Sequence, residues 1–286
     1  MAEVLDKKNI RKVFRDVQKH LAIAQLIRRF STNKEDIRKT ALKQVDLSNC
    51  RNVLELGCAF GAFTEALKGK LHPDAIITGI DIIPEYKPFF LEACRRAGYS
   101  GSFSSSGIDK INKYPAGSFD LVICSYALYF FPDMIPEIAR VLKKDGYFIT
   151  ITHSKEDMRE IINIIKTILR QDHSPDDSPT LPIEIIFDQF SAENGGILLQ
   201  PFFSQIQIID FKNTLVFQPP EIDQFRDYFQ FKKSFFLTGT GAHDKTIIDQ
   251  LMLELQDAAM KNNLVTICKD DRIFICSGPF ITEETS

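Results

Sequence analysis

The stretch Asn52-Val53-Leu54-Glu55-Leu56-Gly57-Cys58-Ala59-Phe60-Gly61, followed directly by Ala62-Phe63-Thr64-Glu65-Ala66-Leu67, constrains the fold of this chain more than any other. Its first half is a short apolar run suited to a buried strand, and Phe60, Phe63 and Leu67 then recur at helical spacing. A glycine turn joins the two. Glycine permits positive φ and lets a ligand approach without meeting a Cβ, while the following helix aims its free N–H groups at the turn. Such a place welcomes an anion or a carboxylate.

Several ligand classes use a glycine turn after a strand, and spacing separates them. No Lys-Ser/Thr follows, which excludes a phosphate-cradling P-loop. The dinucleotide pattern G-x-G-x-x-G requires glycine where this chain has Ala59 and Ala62. The acidic pattern E-x-G-x-G-x-G fits better, as Glu55, Gly57, Ala59 and Gly61, with alanine in place of the middle glycine. A strand-turn-helix with two glycines is also an ordinary hinge of any α/β domain, so the rest of the chain must decide.

With 286 residues, 44% hydrophobic composition and 24 Phe, the chain has apolar material for a sizeable core. Net charge is −3 with no long basic run, which does not indicate a generic nucleic-acid surface and leaves a small molecule or a protein as the default partner. The first residues lack a signal-peptide core, and no segment reaches the ~18 uninterrupted apolar residues of a membrane span, so a soluble, cytoplasmic chain is expected. Six cysteines show no C-x-x-C, so neither disulfides nor zinc are expected. Cys58 stands inside the glycine turn, where filler is the preferred reading over a nucleophile.

In chain order, Ile10, Val13, Phe14, Val17, Leu21, Ala24 and Ile27 predict one amphipathic helix over 9–30. A second is expected from Lys34 to Val45, capped by Asn33. After the glycine turn, Ala75 to Ile80 reads as a second strand ending at Asp81, about 20 residues past the turn. Parallel strands place both C-terminal ends at one edge, where a carboxylate suits a pair of ribose hydroxyls. Glu85 to Ala97 is a helix closed by Gly98, and a short third strand is expected within 100–109. Phe119 to Ser125 is a fourth strand, followed by the aromatics Tyr126, Tyr129, Phe130 and Phe131. Such residues either wall a pocket or fill the core, and core is preferred for Phe130 and Phe131. A helix from Pro136 to Lys144 and a fifth strand from Tyr147 to Thr152 follow, with His153 just beyond. His153 is either a loop residue without duty or a group that orients substrate or takes a proton. The polar segment 171–179 with His173 is expected to be a surface loop and not a metal site. Strands are expected over Ile206 to Val216 and Arg272 to Ser277, with a helical insertion between them.

Taken together, Glu55-x-Gly57-x-Ala59-x-Gly61, Asp81 after the second strand, Ser118-Phe119-Asp120-Leu121-Val122 and Glu137-Ile138-Ala139-Arg140-Val141-Leu142-Lys143-Lys144-Asp145-Gly146 resemble the class I S-adenosylmethionine (SAM)-dependent methyltransferases. The resemblance is to the small-molecule branch often labelled methyltransferase type 11, and it covers residues 51–152. It implies an α/β fold with a Rossmann-like, mostly parallel seven-stranded sheet flanked by helices, and SAM as the cofactor. It implies that Glu55 and Gly57-Cys58-Ala59 to Gly61 surround the methionine moiety, that Asp81 holds the ribose hydroxyls and that Ile82 packs on the adenine. Ile108 and Asp109 stand where the family often carries its adenine-contacting acid, here displaced by one position. Ser125 and Tyr126 would line the sulfonium side.

The resulting organisation is an N-terminal helical cap (1–48), a SAM-binding core (49–153) and a C-terminal half completing the sheet with substrate-cap insertions (154–286). The expected activity is methyl transfer to a small-molecule acceptor. Tyr126, Tyr129 and His153 are the candidate catalytic groups, and none is singled out as an essential base. Three other readings stand beside it. A non-catalytic SAM-fold partner or assembly protein is encouraged by Ala59 and the displaced Asp109. An RNA methyltransferase is discouraged by the acidic balance. A nicotinamide dehydrogenase lacks its glycines.

Overall fold

The computed structural model describes residues 6–171, 180–241 and 243–280, so the segment 172–179 with His173 lies outside the described residues. The chain forms two compact units that interleave along the sequence: Met1–Lys34, His153–Asp188 and Lys212–Asp271 make the first, and Glu35–Thr152, Gln189–Phe211 and Arg272–Ser286 the second.

The second unit is built on a seven-stranded sheet. In chain order its strands are β1 (Asn52–Leu56), β2 (Ile76–Ile80), β3 (Ser100–Ser104), β4 (Phe119–Ser125), β5 (Leu142–His153) and β6 (Phe203–Phe211), with β9 (Asp271–Pro279) last. Their spatial order is β3-β2-β1-β4-β5-β9-β6. The five strands from β3 to β5 run parallel. The run Val53-Leu54-Glu55-Leu56 is buried throughout, as a central strand covered on both faces requires. Register is pinned at its start by Asp120, whose Oδ2 accepts from the backbone N–H groups of Arg51 (2.9 Å) and Asn52 (2.8 Å) while Oδ1 takes Lys143 Nζ at 2.7 Å. The Ser118-Phe119-Asp120 segment thus carries a structural carboxylate at the edge opposite the glycine turn.

Three expectations for this unit change. The helix foreseen over Pro136–Lys144 is Ile135–Val141, and β5 already begins at Leu142, with an irregularity in the β4–β5 register between Phe119 and Leu121. The helix foreseen from Lys34 is Ile37–Leu42, capped by Asp36, whose carboxylate accepts from Arg38 N. The strand foreseen over 206–216 is two strands: β6 ends at Phe211, and β7 (Thr214–Phe217) pairs antiparallel with β8 (Val265–Cys268) in a separate sheet of the first unit.

That first unit is mainly helical. The helix foreseen over 9–30 is two, Lys7–Phe14 and Val17–Phe30, because Asp16 leaves the helical conformation and caps the second through Lys19 N. Asn33, expected as a cap, instead ties the chain to β7: its N–H donates to Asn213 Oδ1 and its amide to Lys212 O. Helices Arg159–Gln171, Pro182–Gln189, Ile222–Lys232, Ser234–Leu237 and Asp244–Asn262 complete the unit's α-helical content among the described residues. Much of the chain's phenylalanine is spent here, with Phe30 stacked on Phe217 at 4.2 Å, Phe217 against Phe225 at 5.6 Å and Phe229 against Phe236 at 5.2 Å. Among the described residues no helix is long and apolar enough to cross a membrane.

Candidate functional site at the glycine turn

The C-terminal ends of β1, β2 and β4 meet at one edge of the second unit's sheet, because Leu56 pairs with both Ile80 and Cys124 in parallel register. The turn after β1 leaves with Gly57 at φ 65°, Ala59 at φ 43° and Gly61 at φ 81°. Glycine is required at the first and last of these for space as well as for φ. A Cβ at Gly57 would lie 2.5 Å from Ala127 Cβ, and one at Gly61 would lie 2.6 Å from Ala93 Cβ. Ala59, at the position where the acidic glycine pattern has its middle glycine, holds a left-handed conformation that costs an L-residue about 1 kcal/mol or more.

Asp81 closes over this turn. Its Oδ2 accepts the Ala59 N–H at 3.0 Å and its Oδ1 accepts the Ile83 N–H at 3.0 Å. The carboxyl is buried, and that burial pushes its pKa up to about 6 against the pull of the backbone donors at Ala59, Ile83 and Ile82. Glu55, one residue before the end of β1, is buried too. Its Oε2 accepts from Thr64 Oγ1 at 2.5 Å, and desolvation raises its pKa to about 7, opposed by the Thr64 hydrogen bond and by Arg38.

The remaining predicted residues fall on either side. Ile82 and Ile108 are both half-buried, and Gly107, at φ 81°, approaches Ile82 so closely that a Cβ on it would be 3.4 Å from Ile82 Cγ2. Asp109 is exposed at the start of a 3-10 turn, Ile108–Lys113. Ser125 ends β4, and Tyr126 follows at φ 56° with its N–H bound to Ile151 O at 2.8 Å. Cys58 points away from the turn into the seam under β2, since a Cβ on Gly79 would meet its Sγ at 2.7 Å beside the Phe90 ring. Its thiol is held far above the ordinary range by burial, so the residue offers backbone and not a nucleophile. Tyr129 is buried, edge-on to Phe130 at 4.7 Å. Phe130 and Phe131, expected in the core, are each only half-buried. His153 belongs to the first unit, where its Nδ1 lies 2.7 Å from Asp271 Oδ1.

Thr64 and Ala127 were not anticipated. Thr64 is on the inner face of the helix that opens at Ala62, and Ala127 lies under the turn. The signal for Thr64 is a hydroxyl at the helix face turned back toward a buried acid.

A parallel sheet in this order, with an acid-bearing glycine turn after β1 clasped by a carboxylate from the end of β2, is the Rossmann-like fold of the class I SAM-dependent methyltransferases. Residues 54–150 match the family model described as a methyltransferase domain, and this segment of the chain is such a domain.

Among relatives, nocamycin O-methyltransferase of Saccharothrix syringae is 32% identical over 124 residues, covering 41% of this chain and 44% of that protein. An uncharacterized methyltransferase of Bacillus subtilis (strain 168), YcgJ, is 28% identical over 138 residues, 45% of this chain and 53% of that protein. This chain therefore spans about half the length of the curated relatives it matches. In fold it is similar to Haemonchus contortus phosphoethanolamine N-methyltransferase 2, solved in complex with SAM, with a TM-score of 0.50 at 11% identity over 96% of this chain and 60% of that one.

Proposed function

We propose that this chain is a SAM-dependent methyltransferase acting on a small-molecule acceptor. The observation that supports this most is the Asp81 clasp on the turn, because it presents a carboxylate beside a glycine-opened backbone at the edge where β1, β2 and β4 end. The donor set suits the cofactor. Asp81 accepts the Ala59 N–H on Oδ2 and the Ile83 N–H on Oδ1, and a carboxylate, having acceptor sites on both oxygens, suits the donor hydroxyls of a ribose. Ile82 and Ile108 supply apolar flanks for a flat base, and Glu55 is a buried acid able to balance a cationic ligand. Gly57, Ala59 and Gly61 give the close backbone approach for the methionine part, with Ser125 and Tyr126 on the far side.

When bound, SAM supplies a methyl carbon activated by its sulfonium for in-line displacement, so the protein's part is chiefly to position the acceptor. A carboxylate acceptor needs no base, whereas a phenol or amine does. Tyr126, at the end of β4, is the candidate for contact with the acceptor. Tyr129, buried against Phe130, serves to support that wall.

The test is transfer of label from methyl-labelled SAM into fractionated metabolite, protein and RNA pools by the purified chain. Label confined to the small-molecule fraction supports the proposal. Label in RNA or protein, or none at all from folded protein that binds SAM, refutes it.

A further inference from the structure

The two edges of the seven-stranded sheet differ. At one, β3 is five residues long and carries Gly101, so it offers a partner little to pair with. At the other, β6 runs for nine residues, and among the described residues no strand lies beyond it. An edge strand presents unpaired backbone N–H and C=O groups, and proteins guard such an edge with lysine, proline, a bulge or a covering element. β6 contains no Lys, Arg or Pro, and Ser204, Gln205, Gln207, Ile208 and Asp210 are all exposed along it.

Apolar surface accompanies this open backbone. Ile206 and Ile208 share a face of β6, and with Ile197 of the helix Gly195–Leu199 they line a groove of about 470 Å³, together with Phe203, Phe274 and Arg272. Ile197 is 72% exposed and Ile208 49%. A second extended strand satisfies the backbone edge and covers the isoleucines at once.

The sequence of β6 is complementary to itself. From its midpoint at Gln207, Phe-Ser-Gln-Ile-Gln-Ile-Ile-Asp-Phe is matched in both directions, Ile206 by Ile208 and Phe203 by Phe211. Two copies set antiparallel about a twofold axis at Gln207 place Ile206 of each opposite Ile208 of the other, Ser204 opposite Asp210 and Gln205 opposite Ile209. Both isoleucine pairs then fall on the groove face. The strand's one charge meets a hydroxyl able to donate to it and stays apart from its own counterpart, so the axis creates no like-charge pair. Asp210 keeps its bond within its own chain, where Arg272 Nε donates to Oδ1 at 2.7 Å.

We infer that β6 is the interface of a homodimer in which two copies pair β6 with β6, antiparallel about Gln207. The two sheets become one continuous sheet, and Ile197, Ile206 and Ile208 of both copies close over the axis.

The test uses the full chain without ligand, by sedimentation equilibrium and by disulfide trapping. The wild type should be a dimer at micromolar concentration. Ile208→Lys, at an exposed position, sets a charge against the isoleucines of the other copy, and should weaken the dimer about tenfold or more with little change in thermal melt. Trapping reads the register and needs no weakened variant. Gln207→Cys sets its two thiols directly opposite, within the roughly 4.4–6.8 Å between Cα atoms that a disulfide spans, whereas Gln205→Cys keeps its two about 13 Å or more apart. Mild oxidation should link Gln207→Cys and leave Gln205→Cys and the wild type unlinked, the native cysteines being buried or half-buried. A monomeric wild type, a dimer unaffected in folded Ile208→Lys, or linkage of Gln205→Cys as readily as of Gln207→Cys overturns the interface. A wild-type dimer that Gln207→Cys fails to link overturns it as well, because the copies then meet elsewhere or in another register.

Discussion

Asp81 Oδ2 accepts the backbone N–H of Ala59 at 3.0 Å, joining the end of β2 to the turn after β1 across 22 residues of chain. The contact fixes a turn whose own conformation is unfavourable, with Ala59 at φ 43°, and it sets a carboxylate beside that turn. Replacing Asp81 by Ala leaves the N–H groups of Ala59 and Ile83 without their acceptor. The expected loss is about 1–3 kcal/mol in stability, read by urea titration, together with at least tenfold weaker SAM binding.

Ala59 is strained where glycine is not. The change Ala59→Gly should stabilise the protein by about 0.5–1 kcal/mol, the left-handed cost being partly offset by the greater freedom of glycine in the unfolded chain. Ala59→Val should destabilise it. A thermal melt of the three proteins decides, and a lower melting temperature for Ala59→Gly would refute the strain account.

Gly57→Ala places a methyl 2.5 Å from Ala127 Cβ on a residue at φ 65°. Strain and overpacking act together, so a loss of about 2–4 kcal/mol is expected. Shortening the obstructing side chain, in Gly57→Ala with Ala127→Gly, should recover part of it. An equal loss in the double variant would mean that backbone strain alone is responsible.

Glu55 makes the free protein's stability depend on pH in a direction opposite to that of an ion-paired acid. Its folded pKa of about 7 lies above the ordinary carboxylate value, so between the two the folded state holds a proton that the unfolded state has released. Stability from this group is full below about pH 4.5 and is lost as pH rises through 7, by about 3 kcal/mol in total. Asp81, pushed up to about 6, acts in the same direction over a narrower window. Glu55→Gln keeps an acceptor for Thr64 and removes the titration. Wild type should therefore lose stability relative to Glu55→Gln from pH 5 to pH 8 in parallel urea titrations, and curves that stay parallel would contradict the assignment.

The parallel core was legible because its signals are local. Apolar runs of strand length, a glycine turn, Asp81 at the end of a strand and Gly98 at the end of a helix each act within a few residues. The resemblance over 51–152 placed the same elements, and the family match at 54–150 falls within it. What escaped depends on distant partners. Asn33 reads as a helix cap until Asn213 and Lys212, about 180 residues on, take its hydrogen bonds. The apolar alternation of 206–216 does not reveal that the chain changes sheet between Phe211 and Thr214.

Side-chain direction escaped for the same reason. Tyr129 is in an aromatic run beside the site, yet burial turns it inward against Phe130. His153, expected just beyond the fifth strand, is the last residue of β5, and what its ring faces is decided by partners more than a hundred residues away, Asp271 at 2.7 Å and Lys269 at 3.1 Å.

The central claim is that the turn from Glu55 to Gly61, clasped by Asp81, binds SAM. Calorimetric titration of the folded wild type with SAM and with S-adenosylhomocysteine tests it most directly. Micromolar, one-to-one binding of both, lost in folded Asp81→Ala, is the predicted result. Absence of binding by the wild type, or unchanged binding by Asp81→Ala, would contradict it.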